Sequence, residues 1–430
     1  MSRFSAPARL AFVLSLLALA SCGSDTGAII TVPNSVIVAD LTGSNVLSVV
    51  TAAAVIDETG LTQKPGLIQV ILNSASTPGD FAGQVDYDTS SAPPSGLAEG
   101  DLRGNGSHDL VVANLNAGTL SVFLETSPTS GAYGTPTTIT VGGQPNDVQI
   151  ADINGDGLPD LIVADNLGKV TYLLQNPASP GTFETGISLP ITNPAITAEG
   201  LTTRAISVAV GDLNGDGFPD LAVTSFDVNG DFGQVTIYFQ DPSNRGTFLS
   251  TPTNIAALGE PSQIRIADMN QDGANDIVVA LQGLGADSDS EAGAGTTELA
   301  ESAYGAMVIL QNSATPGTFA TPVVYASVSG AISLAIGDLN GDGLPDIAMS
   351  SLYPEGEGSI AVLFQIAASP GTFGNVVSYA GLGQPSSIVL GDVTNDGLLD
   401  MITADATSAA WLKNQSSAPG TFVSQGQIGE

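Results

Sequence analysis

The sequence predicts an all-β chain, a seven-bladed β-propeller of four-stranded antiparallel blades. Three observations lead there. A nine-residue acidic segment, DINGDGLPD at 152–160, recurs along the chain. Its copies begin at Asp40, Asp101, Asp152, Asp212, Asp268, Asp338 and Asp392, spaced 51 to 70 residues apart. Between copies the apolar residues alternate with period two, as in strands. Repeats that cannot bury a face alone must stack on their neighbours, and seven such units fill most of the chain.

The chain opens differently. Arg3 and Arg9 precede the run LAFVLSLLALA, which is too short to span a bilayer comfortably and has the form of an export signal over residues 1–21. It ends in LASC at 19–22, which resembles the end of a bacterial lipoprotein signal. That resemblance implies cleavage before Cys22 and lipid attachment to its thiol. Cys22 is the single cysteine, so an internal disulfide is excluded. Residues 22–30 then form a short linker and 31–430 the propeller. The expected location is the bacterial cell envelope, periplasmic or surface-exposed, with the lipid anchor as the sole membrane contact.

Each unit follows one grammar. An alternating first strand, such as DVQIAD or QIRIAD, leads into the acidic loop. The last Asp of the loop opens a second strand, as in DLIVAD and DIVVAL. The third strand reads VTYLLQ, QVTIYFQ, AMVILQN or SIAVLFQ and ends at a turn such as SPGTF. A weaker fourth strand closes on GGQP, LGEP or LGQP. Four strands per repeat is the blade pattern of a propeller. A β-helix would need shorter rungs, and separate sandwiches of this size without disulfides would be too small to stand alone.

The loops supply side-chain oxygens at positions 1, 3, 5 and 9, a carbonyl at position 7 and, in these copies, Gly at position 6. Hard oxygen donors around a sharp turn suit Ca2+. Carboxylates packed closely repel by about 1 kcal/mol per pair even in water, which a cation offsets. A helical calcium hand is excluded, because position 12 is Val163, Val223, Val279, Met349 or Thr403 instead of Glu and the flanks alternate as strands.

These repeats resemble the FG-GAP or VCBS family, the calcium-loop propeller repeats also seen in integrin α-subunit heads and some fungal lectins, over residues 36–430. The resemblance implies one structural calcium between the first and second strands of a blade, about five in all. The implied ligands are Asp152, Asn154, Asp156, Leu158 and Asp160 in one loop, and Asp212, Asn214, Asp216, Phe218 and Asp220 in the next. Asp268, Asn270, Asp272, Ala274 and Asp276 follow, then Asp338, Asn340, Asp342, Leu344 and Asp346. Asp392, Thr394, Asp396, Leu398 and Asp400 form a variant with Thr at position 3. Two copies depart. DLRGNGSHD at 101–109 places Arg103 where a cation would sit, neutralising Asp101 and Asp109, and DLTGSNVLS at 40–48 lacks the closing Asp. No metal is expected in the latter.

A formal net charge of −34 excludes nucleic acid, whose binding rests on Lys and Arg at phosphates. Length variation falls after the second or fourth strand: AAAVIDETGLTQKPG at 52–66, 192–205, FDVNGDFG, 282–305 and LYPEGEG. In an up-and-down blade both connections emerge opposite the acidic loops. Variable loops on a rigid scaffold commonly carry binding, so a glycan or protein partner is expected there, on a monomer. Signs of catalysis are few. His108 is the only histidine, and Trp411, the only tryptophan, is expected between blades. The alternative is a carbohydrate-active enzyme, a lyase or glycoside hydrolase with a carboxylate pair on the variable face.

Overall fold

The structure is a computed structural model. It describes residues 29–57, 65–89, 93–193, 202–227, 233–257, 259–283, 304–327, 330–351, 358–380, 383–405 and 408–428. The signal segment and Cys22 lie outside these residues, as do all or part of the five insertions.

Seven four-stranded antiparallel sheets form a ring, and in every sheet the strands follow chain order. The innermost strands are Ile29–Ala39, Pro94–Gly100, Pro145–Ala151, Thr203–Gly211, Pro261–Ala267, Ala331–Gly337 and Ser387–Gly391, opening blades 1 to 7. Neighbouring inner strands touch around the axis. The seven-bladed expectation holds.

Alternation explains the packing. In the second strand of blade 5, Ile277, Val279 and Leu281 face blade 4, whereas Val278 and Ala280 face blade 6. Both faces of that strand are apolar and both are buried, so one strand serves two interfaces. Seven buried clusters result, one between each pair of adjacent blades. Each buried Ile, Leu or Val contributes about 1.5–3 kcal/mol by leaving water. The core is therefore a ring of interfaces, and no blade has one of its own.

The ring closes by packing, without exchange of a strand. Trp411 of blade 7 is 7% exposed and joins Val36, Val49 and Ile71 of blade 1. Its ring meets that of Phe81 edge-on at 5.9 Å, a favoured aromatic geometry. Asn73 of blade 1 donates from Nδ2 to the Val393 carbonyl of blade 7 at 2.8 Å. Trp411 thus lies where the sequence places it, between blades.

A polar belt ties the inner strands near the opposite rim from the acidic loops. Asn34 donates to the Pro94 carbonyl at 3.1 Å, Ser95 to Pro145 at 2.8 Å and Ser262 to Ala331 at 2.9 Å, each crossing to the next blade.

Candidate cation-binding loops

Every loop is held by its first Asp. In blade 3, Asp152 accepts from the amides of Gly155 at 2.7 Å and Gly157 at 2.8 Å. Asn154 Oδ1 accepts from Asp156 N at 2.8 Å, and Asp156 Oδ1 from Leu158 N at 2.9 Å. Positions 4 and 6 have positive φ, as at Gly155 and Gly157 with 76° and 86°. Such backbone favours Gly and tolerates Asn. The eroded loop of blade 1 keeps the frame: Asn45 has φ 60° and donates to Asp40 Oδ2 at 2.7 Å. Loop shape therefore resides in position 1 and two left-handed residues. The remaining ligands are free to vary.

The ninth residue has a different task. Asp160 is fully buried and accepts from Ile153 N at 3.0 Å and Gln175 N at 2.7 Å. Asp220, Asp276 and Asp346 repeat these two bonds. In blade 7, Asp400 Oδ1 accepts from Asn414 N at 2.8 Å, but its Oδ2 and the Thr394 Oγ1 are buried with no partner among the described residues.

Sequence reasoning missed the residue that ends each third strand. Gln240 donates from Nε2 to the carbonyls of Pro219 and, in blade 3, Ile153, while its Oε1 accepts from Gly246 N at 3.2 Å. One buried amide thus joins the loop, the third–fourth strand turn and the preceding blade. Gln175, Gln311 and Gln365 join the loop and turn of their own blades. Asn73 and Asn414 substitute in blades 1 and 7. The signal was present, since the third-strand runs end in Gln, yet a polar residue closing a strand reads as ordinary turn chemistry.

Position 3 also packs on the next blade. A Cβ built on Gly246 would stand 2.8 Å from Asn154 Cβ, and Gly371 and Gly420 meet Asn270 and Asn340 in the same way. These turn glycines also have positive φ, at 77°, 83° and 86°, so the backbone itself favours Gly and the loop residue of the preceding blade adds to the constraint.

The loops differ in how charge is met. In blade 2 the Arg103 guanidinium grips Asp109 with Nε at 3.2 Å and Nη2 at 2.8 Å, and Nη2 donates to the Glu125 carbonyl at 2.7 Å. Asp101 escapes this clamp: burial raises its pKa, but backbone N–H bonds led by Gly106 and Asn105 outweigh that and hold it below the ordinary value. The expected neutralisation thus reaches Asp109 alone through side chains, because Asp101 is already engaged in shaping the loop. His108 pairs through Nδ1 with Glu99 at 2.7 Å. In blade 7 the Lys413 ammonium lies 3.0 Å from Asp396. Blades 3 to 6 have no such ion pair within the loop among the described residues.

Burial pushes Asp160, Asp276, Asp346 and Asp400 up to about 6 and Asp220 to about 7; backbone donors offset this in part, and the loops' other Asp residues add to the rise. An unfolded Asp titrates near 3.9. With cations removed, the folded chain therefore holds more protons than the unfolded chain from about pH 4 to 7. The stability these protons supply is present in full below the unfolded value and is lost as pH rises through 6–7. The chelated protein should melt several degrees higher at pH 5 than at pH 7.5, by scanning calorimetry. A melting point that rises steadily over that range would contradict this.

The donor chemistry fits a hard divalent cation: carboxylate, amide and carbonyl oxygens, with two unpartnered oxygens in blade 7. Among the described residues no three acidic side chains converge into a ready cage, because positions 1, 5 and 9 are turned to amide donors. Four of the five loops share one geometry, and blade 7 differs in leaving Asp400 Oδ2 without a partner among the described residues.

Fold and loops together define a repeat β-propeller with acidic hairpins on one rim, a binding or adhesion-type module in general. Family models for the FG-GAP-like repeat match residues 101–163, 152–223 and 212–279, each running from one acidic loop past the next. The FG-GAP repeat matches residues 330–363. Residues 101–279 and 330–363 of the chain are thus FG-GAP repeats. No curated protein matches it.

Proposed function

We propose that the protein is a calcium-stabilised, lipid-anchored module of the bacterial cell envelope that binds a glycan or protein on the face opposite the acidic loops. One observation carries the reading. The acidic-loop rim is clamped blade to blade by amide side chains and bare glycines, whereas every length change falls on the other face. A clamped rim tolerates no insertion, so variation and recognition both go to the free face. The cavity at the axis is only about 40 Å³, well below the roughly 300–1,000 Å³ of a small-molecule pocket, so a glycan or protein has to be met by the connecting loops.

Deleting 286–301, an acidic stretch outside the described residues, should leave the melting curve unchanged and abolish partner capture on glycan arrays or in pull-downs from envelope extracts. Undiminished capture, or turnover of a polysaccharide by the purified chain, would overturn the binding reading.

Calcium, when bound, supplies positive charge that offsets the clustered carboxylates. The loop residues of this chain fix the hairpin, bury the ninth Asp and transmit its position to the next blade. Anchoring rests on LASC and on a cysteine with no partner thiol. Two or more acyl chains hold a protein on a membrane where one does not. Cys22→Ser should move the protein into the soluble fraction. Retention of the variant in membranes with its signal uncleaved would favour a transmembrane anchor.

A further inference from the structure

On two successive levels of the inner strands the charged residues are Asp147 and Arg265. Counting back four residues from the last position of each inner strand gives Ser35, Gly96, Asp147, Ser207, Gln263, Ser333 and Ser387, all of which border the axial cavity. Two residues closer to the acidic loops the series reads Ile37, Ala98, Gln149, Ala209, Arg265, Ala335 and Val389. Arg265 is the only charge at that level, and several of its neighbours are alanines that leave room. Within its strand, Ile264 and Ile266 pack against blade 4, so period two sends Gln263 and Arg265 to the other side, along the axis.

The guanidinium lacks a counter-charge in contact. Among the described residues its one hydrogen bond runs from Nη1 to the Ile264 carbonyl at 2.9 Å, and it joins no ion pair. Asp147, two blades away, is the nearest candidate, but its carboxylate is engaged elsewhere. Oδ2 accepts from Ser207 Oγ at 2.6 Å and Val208 N at 3.1 Å, and Oδ1 from Val148 N at 2.9 Å. Burial lowers the Arg265 pKa, and the charge of Asp147 raises it in part, across the axis. Arg265 is only partly exposed. Guanidinium stays charged, and its planar fork has four further N–H donors.

We propose that the axial channel is an anion site in which Arg265 holds a small carboxylate beneath the ring of serines. The planar fork matches a carboxylate in two parallel hydrogen bonds. The cavity ringed by the serines, one level above Arg265, offers about 40 Å³ to water centres, where a single water needs roughly 10–15 Å³, so a formate-sized head can pass it toward the guanidinium. Entry is from the variable-loop face, where the polar residues open the axis. The net charge of −34 opposes the approach of anions, so binding should be weak and should tighten as added salt screens the field. The site is independent of any partner on the loops.

Saturation-transfer NMR with formate on the calcium-loaded full chain tests this. Formate should give a saturable signal, and Arg265→Gln, shown folded by its circular dichroism, should weaken binding at least tenfold. In the unmutated protein formate should also shift the Arg265 Nε–H resonance, a readout that stands even where the variant fails to fold. Competition by glycylglycine would identify a peptide terminus as the source of the carboxylate, competition by glucuronate an acidic sugar, and competition by neither a free small acid. A formate signal unchanged in folded Arg265→Gln, or an Arg265 resonance that formate leaves in place, would overturn the proposal.

Discussion

Chelating calcium is expected to lower the melting temperature of the mature chain by at least about 10 °C. Five loops each carry three carboxylates, and in every one the ninth Asp is fully buried. Extracellular calcium modules bind with dissociation constants of roughly 0.1–1 mM. At tenfold excess over that constant, mass action adds about 1.4 kcal/mol per site. Five independent sites add about 7 kcal/mol, comparable to the whole net stability of a typical domain. Lys413 beside Asp396 should make blade 7 the smallest contributor, because the ammonium already meets part of the charge. Asp156→Ala and Asp216→Ala should each remove part of the calcium-dependent increment. Asp40→Ala makes the informative control. It removes the acceptor for Thr42, Ser44 and Asn45 amides, so it should cost stability equally with and without calcium. Superimposable melting curves in calcium and in chelator, at matched ionic strength, would sink the metal-loop reading.

Arg103→Met is expected to destabilise the protein by about 2–3 kcal/mol whether or not calcium is present. Asp109 is fully buried, and Arg103 is its only cationic partner among the described residues. Breaking a buried pair from one side strands the other charge, at about 3–5 kcal/mol when both groups are enclosed. The guanidinium keeps 24% of its surface, which places the expected cost at the lower end. Adding Asp109→Asn should recover part of the loss, since the amide needs no counter-ion yet can still accept the Glu125 N–H bond. Denaturant titration in calcium and in chelator would read both effects. A variant as stable as the parent would show that the clamp contributes nothing, and a loss confined to chelator would show that the loop depends on a cation after all.

The same nine-residue frame thus meets its charge in several ways. Ser48 replaces the ninth Asp in blade 1, Arg103 enters the loop in blade 2, and Lys413 approaches from a neighbouring strand in blade 7. Blades 3 to 6 hold no ion pair within the loop among the described residues and are where dependence on an added cation should concentrate.

The repeat count, the four strands per repeat, the hairpin position of the loops and the interior place of Trp411 were all legible in the chain itself. Each rests on local order: period two for strands, glycine or asparagine where φ must be positive, and spacing for the repeat. Arg103 as an internal cation was legible too, because it occupies a ligand position. Tertiary structure alone decided which neighbour each face meets. Alternation says that Ile277 and Val278 point opposite ways, but only the ring assigns one to blade 4 and the other to blade 6. Likewise Gln240 reads as the end of a strand until folding brings the Ile153 carbonyl, 87 residues away, onto its amide. Arg265 reads as one polar residue in an alternating run until seven inner strands close an axis around it. A period fixes the direction of a side chain relative to its own strand. The identity of what lies in that direction depends on closure of the whole ring, and no short segment encodes that.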